Sequence, residues 1–143
     1  IADSNERKEL ITTLSAYVLP LGEAFQLRDD LLGIFGDPEI TGKPAGDDIR
    51  EGKRTVLMAM TLERADSKSS AKISAALGRD DLSQDDISEI RGLISATGAV
   101  KDVEDLIDSL LSNALTAANS AVIEPSARGL LIELATSATR RSH

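Results

Sequence analysis

The sequence predicts an all-α fold, and three observations support that prediction. Apolar residues recur at steps of three and four along almost the whole chain, which is the period of a helix with one buried face. No segment alternates apolar and polar residues as a half-buried strand does. Only 2% of the 143 residues are aromatic, which disfavours an all-β sandwich. The length fits one domain.

The first predicted helix is long and is followed by a glycine-rich segment. The helix opens at Ser4, and we expect Pro20 to kink or interrupt it before the apolar run resumes and continues to Phe35. Between Gly33 and Gly52 lie five of the ten glycines and two of the four prolines. A loop this long inside a compact helical protein is uncommon and often functional. The alternative is a plain connection between helices.

Apolar spacing and capping residues place the later helices. A helix is expected to begin near Thr55, and the pattern Ser83-Gln84-Asp85-Asp86 predicts the capped start of another. Pro125 suits the first turn of the last helix. The remaining predicted helices cover 71–77, which stops at Gly78, and the apolar stripe from Val100 to Leu115.

The composition excludes several functional classes. The chain has no cysteine, which excludes disulfides, thiolate catalysis and cysteine-based zinc sites. The single histidine, His143, is the last residue, so Ser-His and Cys-His catalysis have no suitable base. The net charge of −8 disfavours nucleic acid as a partner. No apolar run approaches the length that spans a bilayer and no signal peptide heads the chain, so we expect a cytoplasmic protein.

One group of residues suggests chemistry at the end of the first helix. Gln26, Asp29 and Asp30 are spaced to share one helix face. Two adjacent acids near a helix C-terminus oppose the helix dipole and repel each other, so a cation should compensate them. Mg²⁺ does so by taking one or two carboxylates and completing its shell with water and phosphate oxygens. The alternative is a solvated, charged helix end.

The glycine-rich segment supplies the matching basic groups. They are Lys43, Arg50, Lys53 and Arg54. Lysine and arginine side chains bind the oxygens of a diphosphate. An acid pair followed by a basic, glycine-rich loop therefore favours a site for a metal ion and a diphosphate.

Specific motifs now connect this pattern to a known family. They are Phe25-Gln26-Leu27-Arg28-Asp29-Asp30-Leu31-Leu32, Phe35-Gly36-Asp37-Pro38, Thr41-Gly42-Lys43-Pro44, Gly46-Asp47-Asp48 and Gly52-Lys53-Arg54-Thr55. Together they resemble the second aspartate-rich region of the trans-isoprenyl diphosphate synthases, also called polyprenyl synthetases. Two later segments resemble that family as well, namely 95–100 and the helix that follows Glu124-Pro125-Ser126.

The resemblance implies a fold and an activity. It implies an all-α bundle around a central cavity, of the isoprenoid synthase type, which is usually dimeric. It also implies the condensation of an allylic diphosphate with isopentenyl diphosphate, assisted by Mg²⁺. By position, Asp29 and Asp30 would be metal ligands, and Asp48 would be an acid near the metal, contacting it through water.

The resemblance also implies roles for the neighbouring substrate-binding residues. Lys43 would hold the allylic diphosphate, and Lys53 would assist from the far end of the loop. Phe25 and Gln26 would border the isopentenyl and allylic sites.

Two departures from the family pattern shape the expectations. The motif D-D-x-x-D has Gly33 at its fifth position, so the site either uses fewer direct ligands or takes a carboxylate from Asp37. The first aspartate-rich motif is missing, so residues 1–143 are expected to be the C-terminal portion of one synthase domain. The start at Ile1 agrees with a longer parent protein. We expect this portion to be ordered only against the missing half, a second copy or a partner chain, and to be inactive alone.

Two other functions stay open at this level. The chain could be a non-catalytic partner subunit of a heteromeric prenyl synthase. Retention of Asp29, Asp30, Lys43 and Lys53 argues against that role, while Gly33 argues weakly for it. The third possibility is an acidic helical interaction module that binds no ligand.

Overall fold

The computed structural model describes residues 3–140, and within them all regular structure is α-helical. The all-α prediction is therefore confirmed. The expectations about Ile1 and His143 lie outside the described residues. The helices are α1 (Ser4–Phe35), α2 (Pro38–Thr41), α3 (Asp47–Glu51), α4 (Val56–Arg64), α5 (Ser67–Ala76), α6 (Gln84–Ala96), α7 (Ala99–Ala118) and α8 (Pro125–Thr139).

Helix α1 runs without interruption through Pro20, so the expected break does not occur there. A proline inside a helix removes one backbone hydrogen bond and crowds the preceding turn. Tyr17, Ala24 and Leu27 lie on either side of Pro20 and are all almost completely buried. Packing of the apolar face contributes most of the stability of a helix in a protein, and here it outweighs the local cost of the proline.

The segment between Gly33 and Gly52 contains two short helices, so the prediction of one long loop was wrong. The Asp37 carboxylate accepts a hydrogen bond from the Glu39 N–H at 2.9 Å and caps the start of α2. Helix α3 lies between Gly46 and Gly52, which both adopt left-handed backbone conformations with φ of 70° and 69°. These glycines allow the chain to turn sharply at both ends of α3.

The later helices follow the predicted signals closely. Thr55 caps α4, and the capping box formed by Ser83 and Asp86 starts α6. Pro125 opens α8. Helix α5 begins at Ser67 rather than at residue 71, because the Asp66 side chain accepts a hydrogen bond from Ser69 N–H at 2.7 Å. That first turn is polar, so apolar spacing alone could not reveal it.

The chain divides into two compact units. The described residues of the first are 3–26 and 105–140, and those of the second are 27–104. The first unit has a core of Tyr17, Leu111, Ala114, Ala118 and Ala135. The second buries a larger aliphatic set, which includes Leu31, Ile34, Ile49, Leu57, Ile73, Ile87 and Ile94. The acids and lysines singled out in the sequence all belong to the second unit.

The N-terminal part of α1 carries large apolar side chains that are exposed to solvent. They are Leu10, Ile11, Leu14, Val18 and Leu19. By length and composition α1 is apolar enough to cross a membrane, contrary to the expectation from sequence that no run approaches that length. One such helix is weak evidence of insertion, because a core helix of a soluble protein or a signal sequence passes the same test. The need for a covering partner stays a prediction.

Candidate functional site

The C-terminal part of α1 positions the acid pair. Asp30 is buried, with only 5% of its side chain exposed, whereas Asp29 is partly exposed. The preceding residue, Arg28, forms a bidentate pair with Glu104, in which both N–O distances are 2.7 Å. Because this pair joins α1 to the first turns of α7, it fixes the rotation of α1 at the residue next to the acids. The Arg28–Glu104 pair therefore orients Asp29 and Asp30.

Helix α3 contributes a third carboxylate, that of Asp48. Only 9% of its side chain is exposed, and its Oδ2 atom is buried without a hydrogen-bond partner. Burial raises the pKa of Asp48 above its usual value, while the Lys53 ammonium lowers it and the nearby acids Glu51, Asp29 and Asp30 raise it further. A buried carboxylate oxygen without a donor is costly, so a cation should stabilise it.

Lys53 lies among these three carboxylates. Its Nζ is 3.7 Å from Asp48 Oδ2, 3.8 Å from Asp30 Oδ1 and 4.0 Å from Asp29 Oδ2. The backbone places it there, because the turn at Gly52 allows the Lys53 N–H to donate to the Asp48 carbonyl at 3.0 Å. The structure thus brings together four of the residues predicted from the sequence.

Gly33 explains how Asp48 reaches this position. A Cβ atom on Gly33 would lie 2.0 Å from Asp48 Oδ2 and 2.3 Å from its Cγ. The Asp48 carboxyl group therefore occupies the space in which a side chain at position 33 would begin. This is the fifth position of the D-D-x-x-D pattern. The alternative source of a carboxylate, Asp37, instead caps α2.

Three further predicted residues are exposed. Phe25 and Gln26 lie one turn before the acid pair on α1. Lys43 follows the turn after α2, and among residues 3–140 its ammonium forms no ion pair. Exposure leaves all three side chains able to contact a ligand, but their roles stay predictions.

Arg50, one of the basic groups predicted from the sequence, contacts the backbone of its own unit, and its role in binding a diphosphate stays a prediction. Its guanidinium donates to the carbonyl of Ala45 at 2.7 Å and to the carbonyl of Leu82 at 3.1 Å. These two bonds hold α3 against the segment before α6. Arg54 is exposed.

The carboxylates fit the coordination of Mg²⁺ better than that of a metal bound by protein ligands alone. In the part of the chain that the structure describes, no three Asp, Glu, His or Cys side chains form a ready metal-binding group. Mg²⁺, however, binds through one or two carboxylates, keeps several waters and takes phosphate oxygens. The Asp48 Oδ2 atom, which accepts no hydrogen bond, and the oxygen-only donor set agree with such an ion.

Sequence reasoning missed Arg91, which completes the end of α1. Its Nε donates to the carbonyl of Ile34 at 2.5 Å, and its guanidinium lies 6.0 Å from the centre of the Phe35 ring. The last turn of α1 contains no basic residue, so Arg91 supplies the cation that a helix C-terminus favours. The two partners are 57 residues apart in sequence, and no local pattern marks them. Glu104 escaped notice for the same reason.

The fold and the site define a class of all-α proteins in which three carboxylates and a lysine lie together. Residues 1–94 match the polyprenyl synthetase family. The chain belongs to this family, which confirms the resemblance found in the sequence.

Two archaeal geranylgeranyl diphosphate synthases are similar to the chain. The enzyme of Saccharolobus solfataricus is 37% identical over 86 residues, which make up 60% of this chain and 26% of that protein. The enzyme of Sulfolobus acidocaldarius is 33% identical over 117 residues, which cover 77% of this chain and 35% of that protein. The chain thus spans a minor part of the curated relatives it matches.

Solved structures of the same class also resemble the chain. Geranylgeranyl pyrophosphate synthase from Corynebacterium glutamicum, in complex with isoprenyl diphosphate and magnesium, has a TM-score of 0.89 and 48% identity. That match covers 93% of this chain and 38% of that chain. A polyprenyl synthase from Caulobacter crescentus, in complex with calcium and isoprenyl diphosphate, has a TM-score of 0.76 and 35% identity. The fold is therefore the all-α isoprenoid synthase fold.

Proposed function

We propose that this chain is part of a trans-prenyltransferase, of the polyprenyl or geranylgeranyl diphosphate synthase type. The reaction is the condensation of an allylic diphosphate with isopentenyl diphosphate. The observation that supports it is the convergence of three carboxylates on Lys53, with Asp48 Oδ2 buried and without a hydrogen-bond donor. A structural neighbour that binds isoprenyl diphosphate and magnesium supports the same proposal.

Asp29, Asp30 and Asp48 are the residues that would hold Mg²⁺. When bound, the ion neutralises negative charge on the diphosphate as it leaves. Asp48 takes the place of the acid that the motif lacks at Gly33, because its carboxyl group fills the space next to that glycine.

The lysines and the residues of the preceding turn complete the proposed site. Lys43 and Lys53 bind the diphosphate oxygens, since ammonium groups pair well with phosphate. The carbon–oxygen bond breaks with its electron pair on the diphosphate, and the isopentenyl double bond attacks the allylic cation. The new carbocation then gives a proton to the released diphosphate. The lysines stabilise the charge that accumulates on the diphosphate. Phe25 and Gln26 border the isopentenyl and allylic sites.

The remaining parts of the protein are proposed as follows. Residues 1–143 form the C-terminal portion of one synthase domain, and the N-terminal portion supplies the first aspartate-rich motif. The similarity of the chain to only 38% of the solved Corynebacterium enzyme supports this division. We further propose that the complete enzyme is a cytoplasmic homodimer, and that residues 1–143 alone are inactive.

The first experiment tests the acid pair in the complete protein. Asp30→Asn should lower kcat about 100-fold or more, since loss of one charge-stabilising group in an active site costs that much. The control is Asp108→Asn on α7, whose side chain is exposed to solvent. The assay follows transfer of the prenyl group of an allylic diphosphate to labelled isopentenyl diphosphate, with release of diphosphate. A nearly unchanged rate in Asp30→Asn would instead identify the chain as the non-catalytic partner subunit.

A second experiment tests whether Asp48 supplies the carboxylate missing at Gly33. Asp48→Ala should lower kcat strongly and should remove the group that blocks a side chain at position 33. Adding Gly33→Asp returns a carboxylate to nearly the same volume, so the double variant should recover part of the lost rate. A double variant that is no faster than Asp48→Ala would show that the two positions are not interchangeable.

A further inference from the structure

The contacts of Lys53 are unusual in number and in length. One ammonium group approaches three carboxylates, and the nearest oxygen is 3.7 Å away. That distance exceeds the usual range of a charge-assisted hydrogen bond. Lys53 therefore balances the charge of all three acids without binding tightly to any of them.

The Lys53 side chain is also able to leave this position. It is 38% exposed, and it belongs to the short connection between α3 and α4, directly after the left-handed turn at Gly52. Asp30 and Asp48, in contrast, are buried, so removal of the ammonium is costly unless another cation takes its place. A divalent metal ion at the carboxylates would supply that replacement.

The same negative potential attracts both the ammonium and a divalent cation. Two cations within 4 Å of the same carboxylates repel each other strongly. A metal ion that approaches Asp29, Asp30 and Asp48 must therefore displace Lys53. A diphosphate ion offers the displaced ammonium new oxygen partners.

We propose that Lys53 is a tethered counter-cation that keeps a divalent metal off the three aspartates until a diphosphate binds. This inference rests on the proposed function and deepens it, because it makes binding of the metal and of the diphosphate mutually dependent. By linkage, each ligand raises the affinity for the other by the same factor. The enzyme thereby avoids holding a metal in a site that has no substrate.

The test measures metal binding in the complete protein, with Mn²⁺ as a paramagnetic probe and inorganic diphosphate as the anion. Lys53→Met should raise the Mn²⁺ affinity in the absence of diphosphate about tenfold, because the ammonium no longer competes with the metal for the three carboxylates. Diphosphate should then enhance Mn²⁺ binding less than it does in the wild type. Lys53→Arg, which keeps the charge, should behave like the wild type.

Matched variants make the result specific. Lys72→Met removes a lysine that pairs with Glu89 outside the site, and it should leave Mn²⁺ binding unchanged. Lys53→Gln serves as a second neutral variant if Lys53→Met does not fold, as judged by circular dichroism. Mn²⁺ bound at this site is taken as the part of the total bound Mn²⁺ that disappears in Asp30→Asn.

Two outcomes would overturn the inference, and they can be told apart. If Lys53→Met binds Mn²⁺ without diphosphate no better than the wild type does, Lys53 does not compete with the metal, and the proposed function stands. If Asp30→Asn binds as much Mn²⁺ as the wild type with diphosphate present, the metal site itself is wrong, and both proposals fail.

Discussion

Replacing Gly33 by alanine should destabilise the protein, although the same substitution at Gly22 of the same helix should stabilise it. Alanine is favoured over glycine inside a helix by about 1 kcal/mol. A Cβ atom on Gly22 would meet nothing within 4 Å. Gly22→Ala should therefore gain about that amount, and it serves as the matched control.

At Gly33 the steric cost should exceed this gain. The new Cβ would lie 2.0 Å from Asp48 Oδ2 and 2.8 Å from its Oδ1, whereas non-bonded atoms pack at about 3.5 Å or more. Asp48 is almost fully buried, so its side chain has little room to move. Overpacking of this kind costs roughly 1–3 kcal/mol. The propensity gain is common to both variants, so they should differ by the overpacking cost alone, about 1–3 kcal/mol in free energy of unfolding.

Urea unfolding of the complete protein measures this difference, and a double-mutant cycle assigns its cause. Asp48→Ala removes the atoms that clash, so Gly33→Ala should become favourable in that background. We expect a coupling energy of about 2 kcal/mol between the two positions. If Gly33→Ala stabilises the protein as much as Gly22→Ala does, then Asp48 does not occupy the space beside Gly33.

Three further predictions concern stability and can be checked by urea or thermal unfolding of the complete protein. Ser83→Ala should cost about 1 kcal/mol of stability through loss of the α6 cap. Hydrogen bonding to Ser83 also lowers the pKa of Asp86. The stabilisation by the Asp86 carboxylate should therefore be present near neutral pH and disappear as the pH falls through that lowered pKa. Glu104→Ala leaves the buried Arg28 guanidinium without this partner and should cost about 3 kcal/mol, while Arg28→Met should cost less because Glu104 is 33% exposed. Tyr17→Phe should cost about 1 kcal/mol, since the hydroxyl donates a partly buried 2.7 Å hydrogen bond to a backbone carbonyl. A variant as stable as the wild type would contradict the contact that the substitution removes.

The sequence predicted the features that local chemistry determines. The start signals at Thr55, Ser83 and Pro125 act within one turn, so composition and spacing alone located the starts of α4, α6 and α8. The interruption at Pro20 was predicted by a local rule that tertiary packing overrides. The short helices α2 and α3 were missed because a span of four or five residues has no readable periodicity.

The candidate site was predictable in its members but not in its arrangement. The acid pair and the lysines stand out in the sequence, and the structure places Asp29, Asp30, Asp48 and Lys53 together. The Asp48 carboxyl group fills the space beside Gly33, and the two residues are 15 positions apart in the chain. No local pattern reveals such a contact. A glycine at a motif position that usually carries an acid was the one available signal, and it indicated either fewer direct ligands or a carboxylate from Asp37.

Three locally unfavourable choices in this site have a common physical explanation. Two adjacent acids near the end of α1 oppose its dipole, a buried oxygen of Asp48 has no hydrogen-bond donor, and Gly33 weakens the helix interior. Each costs stability separately, and proteins retain such costs where function requires them. Under the proposed function a bound cation would offset these costs, because Asp29 and Asp30 would bind it, Asp48 Oδ2 would gain a closer partner, and Gly33 leaves room for Asp48. The three costs therefore support the proposal of a site for a charged ligand.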